Sequence, residues 1–244
     1  MSFDVLQEKI REKANPTVAG LDARVEYIPP HILKKHTDRL GETLEAAAEA
    51  VAEFDCGLID ALCDVVPAVK PQAAYFEMLG WRGMKVMEDV MAYAKSKGLY
   101  VIADIKRGDI GTTATAYAEG WLGTTQVGSA NLSAFDADCV TLNGYMGSDA
   151  IKPFLKECVA RNKSAFALAK TSNPSSVELP DMVAGDRVAS TVMGDLIERW
   201  GKATAGTCGY QSLCAVLCPT HPPDATARRS RLPKHVPMLP TTLT

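Results

Sequence analysis

The chain has 244 residues, 47% of them hydrophobic and 23% charged, with a net charge of −3. That length supports one large domain with a substantial core, and the charge balance gives no basic surface for nucleic acid. No apolar run approaches the ~18 residues of a membrane span. The seven cysteines show no CxxC spacing and the four histidines suggest no metal cluster, so the thiols read as free in a reducing cytoplasm.

In chain order, "MSFDVLQEKIREKANP" is an amphipathic helix without a signal-peptide core. Residues 17–23, "TVAGLDA", read as a buried strand, and 41–64, rich in Ala, Leu and Glu, as a long helix. A strand at 66–72, a helix at 77–98 ending in Lys and Gly, and a strand at 100–106 follow. The next helix pattern, 113–123, opens on a Thr cap candidate. A strand at 137–143, a helix at 149–162, a strand at 164–170, a helix at 185–201 and a sixth strand at 212–217 complete the alternation. Tyr75, Trp81 and Tyr117 read as packing residues. The strands are short and apolar without alternation, as in a parallel sheet covered on both faces. Successive strand–helix units mean either a doubly wound sheet or a (β/α)8 barrel.

The polar residues favour the barrel, where chemistry sits at the C-terminal ends of the strands. Asp22 and Arg24 follow strand one, Lys70 and Gln72 strand two, and Asp104, Lys106 and Asp109 strand three. Asn143 follows strand four, and Lys170, Thr171, Ser172 and Asn173 follow strand five. A doubly wound sheet would gather such residues at one switch point. Asp104 and Lys106 lie two apart and so share one face of a strand. Opposite charges placed there reduce each other's burial cost, and Lys70 can join them from the neighbouring strand. Two readings stand: a salt-bridge network that fixes register, or a preorganised field with Lys106 as proton donor to a developing carbanion. Arg24 and Arg107 read as solvated or salt-bridged, and Asn143 either orients a loop or touches substrate.

"DIKRGDIGTT" at 104–113 resembles the DxKxxD(I)xxT signature of the orotidine 5′-phosphate decarboxylases, which make UMP from OMP. "VAGLDAR", "AVKPQAAYFE", "VTLNGYMGSDAIKPF" and "AKTSNPSS" are similar to further segments of that family, in the wording of its longer bacterial subgroup. The resemblance runs from about residue 3 to about 203 and implies a TIM barrel that needs no metal or organic cofactor. It implies a tetrad of Lys70, Asp104, Lys106 and Asp109. Lys106 would protonate C6 of the pyrimidine, and Asp104 would sit beside the departing carboxylate and hold Lys106. Lys70 would bridge Asp104 and a ribose hydroxyl, which Asp22 would also contact. Asp109, Ile110 and Thr113 would reach the partner's site in an obligate homodimer, and Ser172 would bond the pyrimidine amide edge. A cytoplasmic location follows.

After about residue 203 the pattern changes. The family continues with a sixth strand, a seventh carrying a Gly-rich loop and an eighth ending near an Arg; a Gln and that Arg bind the substrate phosphate. Here "GYQSLCAVL" keeps the outline of the sixth strand, with Cys214 and Cys218 at expected glycines. "TARRSRLPKHVPMLPTTLT" has no helix period, no Gly-rich loop and no strand pattern. The sequence thus divides into a barrel core, 1–203, and an aberrant tail, 204–244, with strands seven and eight unrecognisable. Three other activities fit parts of the pattern. A sister sugar-phosphate decarboxylase shares the tetrad but uses magnesium, and "KTSNP" argues against it. A Schiff-base aldolase would need a depressed lysine pKa, which two flanking acids oppose. A non-catalytic remnant would only dimerise.

Overall fold

The structure is a computed structural model and describes residues 2–217. Its elements in chain order are α1 (Ser2–Lys13), β1 (Val18–Leu21), α2 (Pro30–Leu40), α3 (Leu44–Leu62), β2 (Ala68–Pro71), α4 (Ala73–Glu77), α5 (Gly80–Ser96) and β3 (Tyr100–Arg107). There follow α6 (Gly111–Trp121), β4 (Thr125–Val127), β5 (Ala130–Leu132), β6 (Cys139–Leu142), α7 (Ser148–Arg161), β7 (Ser164–Leu168), β8 (Val183–Ala184), β9 (Arg187–Val188), α8 (Ala189–Gly201) and β10 (Leu213–Val216). Two compact units contain them: residues 5–105 with 124–138, and residues 2–4 with 106–123 and 139–217.

In the first unit β1, β2 and β3 pair in parallel, with Gly20 opposite Lys70 and Ala68 opposite Tyr100. Val101, Ile102 and Ala103 are buried, as expected of an apolar strand covered on both faces. Helix α3 starts at Thr43, whose hydroxyl accepts the Ala46 N–H at 3.2 Å and satisfies an otherwise orphaned donor. Its buried stripe includes Ala46, Ala50, Val51 and Ile59 and packs on α2 and α5. Helix α2, unassigned in the sequence reading, begins with Pro30 in the first turn, where the missing N–H costs nothing. His36 ties it to α3: its ring nitrogens lie 3.0 Å from Glu49 and 2.7 Å from Glu53. Gly83 admits the close turn from α4 into α5, because a Cβ there would sit 1.9 Å from the Phe76 carbonyl oxygen.

One expectation fails here. Trp81 is 72% exposed rather than packed. It lies in the first turn of α5, and the Arg82 guanidinium covers its ring at 4.6 Å instead. The hairpin β4–β5, pairing Thr125 with Leu132, was also not foreseen; its strands are too short and polar to carry a period.

In the second unit β6, β7 and β10 pair in parallel, with Val140 and Leu213 both opposite Ala165. The sixth strand expected at 212–217 is therefore present, and Leu213, Cys214 and Ala215 are fully buried. The N-terminus helps to hold this unit together. Phe3 packs on Phe166 with ring centroids 5.0 Å apart, and the Asp4 carboxylate accepts the N–H groups of Thr207 at 3.2 Å and Cys208 at 2.7 Å. Helix α6 starts two residues earlier than expected, with Ile110 rather than a Thr at its cap and no side-chain cap bond. The strand expected at 164–170 stops at Leu168, and the helix expected from 185 starts at Ala189, after the small β8–β9 hairpin. Residues 218–244, where most of the aberrant tail falls, lie outside the described residues, as does Cys218.

Candidate active site

Lys70, Asp104 and Lys106 lie toward the C-terminal ends of parallel strands, Asp22, Asp109, Ile110 and Ser172 follow such strands, and Thr113 lies on α6. In the first unit the end of β2 delivers Lys70, and the backbone bridge from Gln72 to Asp104 carries the β2–β3 pairing outward. Three side chains converge there: Lys70 Nζ donates to Asp104 Oδ2 at 2.8 Å, and Gln72 Nε2 donates to the same oxygen at 2.9 Å. The Asp104 side chain is 7% exposed and that of Lys70 21%. A cation and an amide both donate to this buried carboxylate and offset part of its desolvation cost. Of its three ammonium hydrogens, Lys70 uses one on Asp104 among the described residues. Gln72, noted in the sequence only as a strand-end residue, is thus part of the cluster.

Asp22 follows β1 and is exposed; no hydrogen bond links it to Lys70 among the described residues. Its charge acts instead on Asp55, a wholly buried carboxyl on α3. Neither Asp55 oxygen has a hydrogen-bond partner among the described residues. Burial, and secondarily the nearby Asp22 charge, push the Asp55 carboxyl up to about 7. Nothing in the sequence marked Asp55, which lies inside an unremarkable amphipathic helix.

Lys106, two residues beyond Asp104 on the same strand, belongs to the second unit. Its backbone is left-handed, with φ of 46°, a conformation that costs a side-chain-bearing residue on the order of 1–3 kcal/mol. Surrounding bonds hold it there. The Lys106 N–H donates to the Thr141 hydroxyl at 3.0 Å, and the Asn143 N–H donates to the Arg107 carbonyl at 2.8 Å. Gly108 then passes so close to Asn143 that a Cβ would lie 2.6 Å from its carbonyl oxygen. The turn redirects the chain at the point where the ammonium leaves the strand. Thr141 was not foreseen, and its signal was only a hydroxyl inside an apolar strand. Asn143 Oδ1 accepts the Tyr145 N–H at 3.0 Å, which shapes the loop that follows β6.

Asp109 Oδ1 accepts the Ile110 N–H at 2.8 Å, and Ile110 is 57% exposed. Thr113 is exposed in the first turn of α6. Ser172 is half-buried in the segment after β7. Arg24 pairs with Glu26 and stacks on Tyr27, and Arg107 lies over the Tyr117 ring at 5.6 Å. Among the described residues no group of three or more His, Cys, Asp or Glu could hold a metal ion.

Asp104 is thus buried with Lys70 and Gln72 on one of its oxygens, and Lys106 two residues later has a left-handed backbone. The sequence profile of the orotidine 5′-phosphate decarboxylase / HUMPS family matches residues 43–212. The chain belongs to that family. The orotidine 5′-phosphate decarboxylase of Caldicellulosiruptor saccharolyticus is 35% identical over 237 residues, which is 97% of this chain and 78% of that protein. The enzyme of the same name from Rhodopirellula baltica is 34% identical over 235 residues, 96% of this chain and 76% of the relative. Among solved structures, Leishmania donovani OMP decarboxylase superposes with a TM-score of 0.76 at 28% identity, covering 99% of this chain and 80% of that one. The fold class is therefore the α/β TIM barrel of the family. In chain order β1, β2, β3, β6, β7 and β10 are its first six strands.

Proposed function

We propose that this chain decarboxylates orotidine 5′-phosphate to UMP in pyrimidine biosynthesis. The observation that carries the reading is the Asp104 cluster, with Lys70 and Gln72 on one carboxylate oxygen and the strained Lys106 two residues on. Loss of carbon dioxide leaves an electron pair on C6 of the pyrimidine, where ring resonance delocalises it poorly. Stabilisation must come from a fixed cation beside that carbon. Lys106 supplies the charge and then the proton: the C6–carboxylate bond breaks, carbon dioxide departs, and an Nζ–H proton passes to C6. The amine regains its proton from solvent. Asp104 stands beside the substrate carboxylate. Lys70 donates to Asp104 and reaches a ribose hydroxyl with Asp22, while Ser172 bonds the amide edge of the ring. The strained turn at Lys106 supports this reading, since backbone strain persists where a side chain must point one way. The chemistry requires no metal or organic cofactor.

The active form is a homodimer in the cytoplasm, with Asp109, Ile110 and Thr113 completing the partner's site. Support comes from exposed apolar side chains on the same unit: Ile110 at 57%, Tyr145 at 75% and Met146 at 54%. Residues 1–203 supply the pyrimidine and ribose contacts, while the sequence of 204–244 carries no Gly-rich pattern of the kind the family uses for phosphate. Arg228, Arg229 and Arg231 in that segment lie outside the described residues.

Lys106→Ala tests the assignment in the full chain. Decarboxylation, followed by loss of OMP absorbance, should disappear while UMP binding stays measurable by calorimetry. Turnover close to that of the unsubstituted protein would remove Lys106 from the mechanism.

A further inference from the structure

Lys170 follows β7 and is 5% exposed, yet it lies outside the tetrad. Its backbone N–H donates to the Val216 carbonyl at 3.1 Å, so its base is fixed to the last described strand. Its ammonium donates to the Ser176 carbonyl at 2.9 Å and pairs with Asp181 Oδ2 at 2.6 Å. The chain between these points loops out and returns, and Ser172 lies within the loop.

Among the described residues little else holds this loop down. Val177, Leu179, Met182 and Val183 are each more than half exposed, so apolar burial contributes little. Local bonds shape it: Thr171 Oγ1 to Asn173 Oδ1 at 2.6 Å, and the Ser176 N–H to the Asn173 carbonyl at 2.9 Å. These fix turns within the loop but not its position on the strand ends. Its far end is tied by the Ser190 N–H to the Pro180 carbonyl at 2.8 Å, next to Asp181. A buried ammonium with two good acceptors is a strong anchor, because opening the loop would leave the cation unpaired.

We propose that Lys170 is a positioning residue, latching the 171–181 loop through Asp181 and Ser176 so that Ser172 is presented to the substrate. The latch stands on the geometry alone; its effect on substrate rests on the reading of Ser172 given above. An ionic latch with one buried and one partly exposed partner tightens the loop without locking it. Weakening it should therefore affect binding before it affects the chemical step, in which Lys170 takes no part.

The test uses the full chain with Asp181→Asn, Asp181→Glu and Lys170→Met. Hydrogen–deuterium exchange over 171–181 and steady-state OMP decarboxylation are measured in parallel. Asp181→Asn should speed exchange in this loop about tenfold, with other segments unchanged. KM should rise by about the same factor, with kcat changed by no more than about twofold. Asp181→Glu should recover most of both effects. Asp181 is partly exposed, so its Asn variant folds even if removing the buried lysine proves too disruptive. Unchanged exchange in Asp181→Asn would overturn the latch. Faster exchange with an unchanged KM would overturn the positioning of Ser172. If the unsubstituted chain neither turns over OMP nor binds UMP, the proposed function fails and the positioning of Ser172 fails with it, while the exchange result still decides the latch.

Discussion

Replacing Asp55 by Asn should stabilise the protein, in a way that depends on pH. Asp55 is wholly buried on α3, with no hydrogen-bond partner for either oxygen among the described residues. Burial first, and the Asp22 charge second, raise its carboxyl from 3.8 to about 7. A group whose folded pKa lies above its unfolded one favours the protonated folded state. Its cost to folding is therefore absent below pH 3.8, grows as the pH rises from there, and levels off above about 7. The displacement corresponds to about 4 kcal/mol at the plateau, and local relaxation and water entry reduce this to about 2–4 kcal/mol. Asparagine matches the protonated acid in size and carries no charge, so it escapes this cost. Urea unfolding of the two proteins at a series of pH values reads the difference directly. The Asn variant should be more stable by about 2–4 kcal/mol at pH 8, and the curves should converge toward pH 4. Asp22→Asn should leave the onset near pH 3.8 but make the cost level off at lower pH and at a smaller value, because it removes the second cause. A pH-independent gap, or an unsubstituted protein more stable than the variant at pH 8, would refute the reasoning.

Three other outcomes follow from the site. Mixing Lys106→Ala and Asp109→Ala chains should restore activity at about a quarter of the sites after random subunit exchange, since each mixed dimer then holds one complete site; no recovery after confirmed exchange would mean that each site is built from one chain. Gly108→Ala should cost about 1–3 kcal/mol, read as a lower unfolding midpoint, because its Cβ would meet the Asn143 carbonyl oxygen at 2.6 Å, and it should cut kcat by disturbing the Lys106 turn. Grafting a family-like C-terminus after residue 203 should raise soluble yield and OMP turnover at matched concentration, because several donors must converge on a phosphate dianion; equal rates would show that residues 204–244 already provide that clamp.

The order of strands and helices was legible without coordinates, because short unbroken apolar runs alternating with amphipathic stretches permit few architectures. The runs around Val101–Ala103 and Val140–Leu142 became buried parallel strands as expected. That an acid and a base stand two apart at the end of a buried strand was equally legible, but not their shared face: the left-handed backbone at Lys106 breaks the strand alternation, and Asp104 is buried while Lys106 is exposed. Roles read from residue type alone fared worse where neighbours decided the outcome. Trp81 was expected inside, but its helix turns it outward, where Arg82 covers it. A Thr was expected to cap α6, but the chain enters that helix through Ile110, with Asp109 bonding back to its N–H.

What only the tertiary structure decided are features that arise between segments distant in sequence. Gln72 joins the site because β2 and β3 pair in the register that brings it to Asp104, 32 positions away. Lys106 adopts a left-handed backbone because Thr141 and Asn143, more than thirty residues later, bond the end of β3. Asp55 looks like any acid on an amphipathic helix until packing removes its water, and Lys170 looks like any strand-end lysine until a loop closes over it. A sequence specifies which groups are present and which neighbours share a face. The desolvation of a charge and the strain of a turn depend on the whole set of atoms packed around them, and those are defined only once the chain has folded.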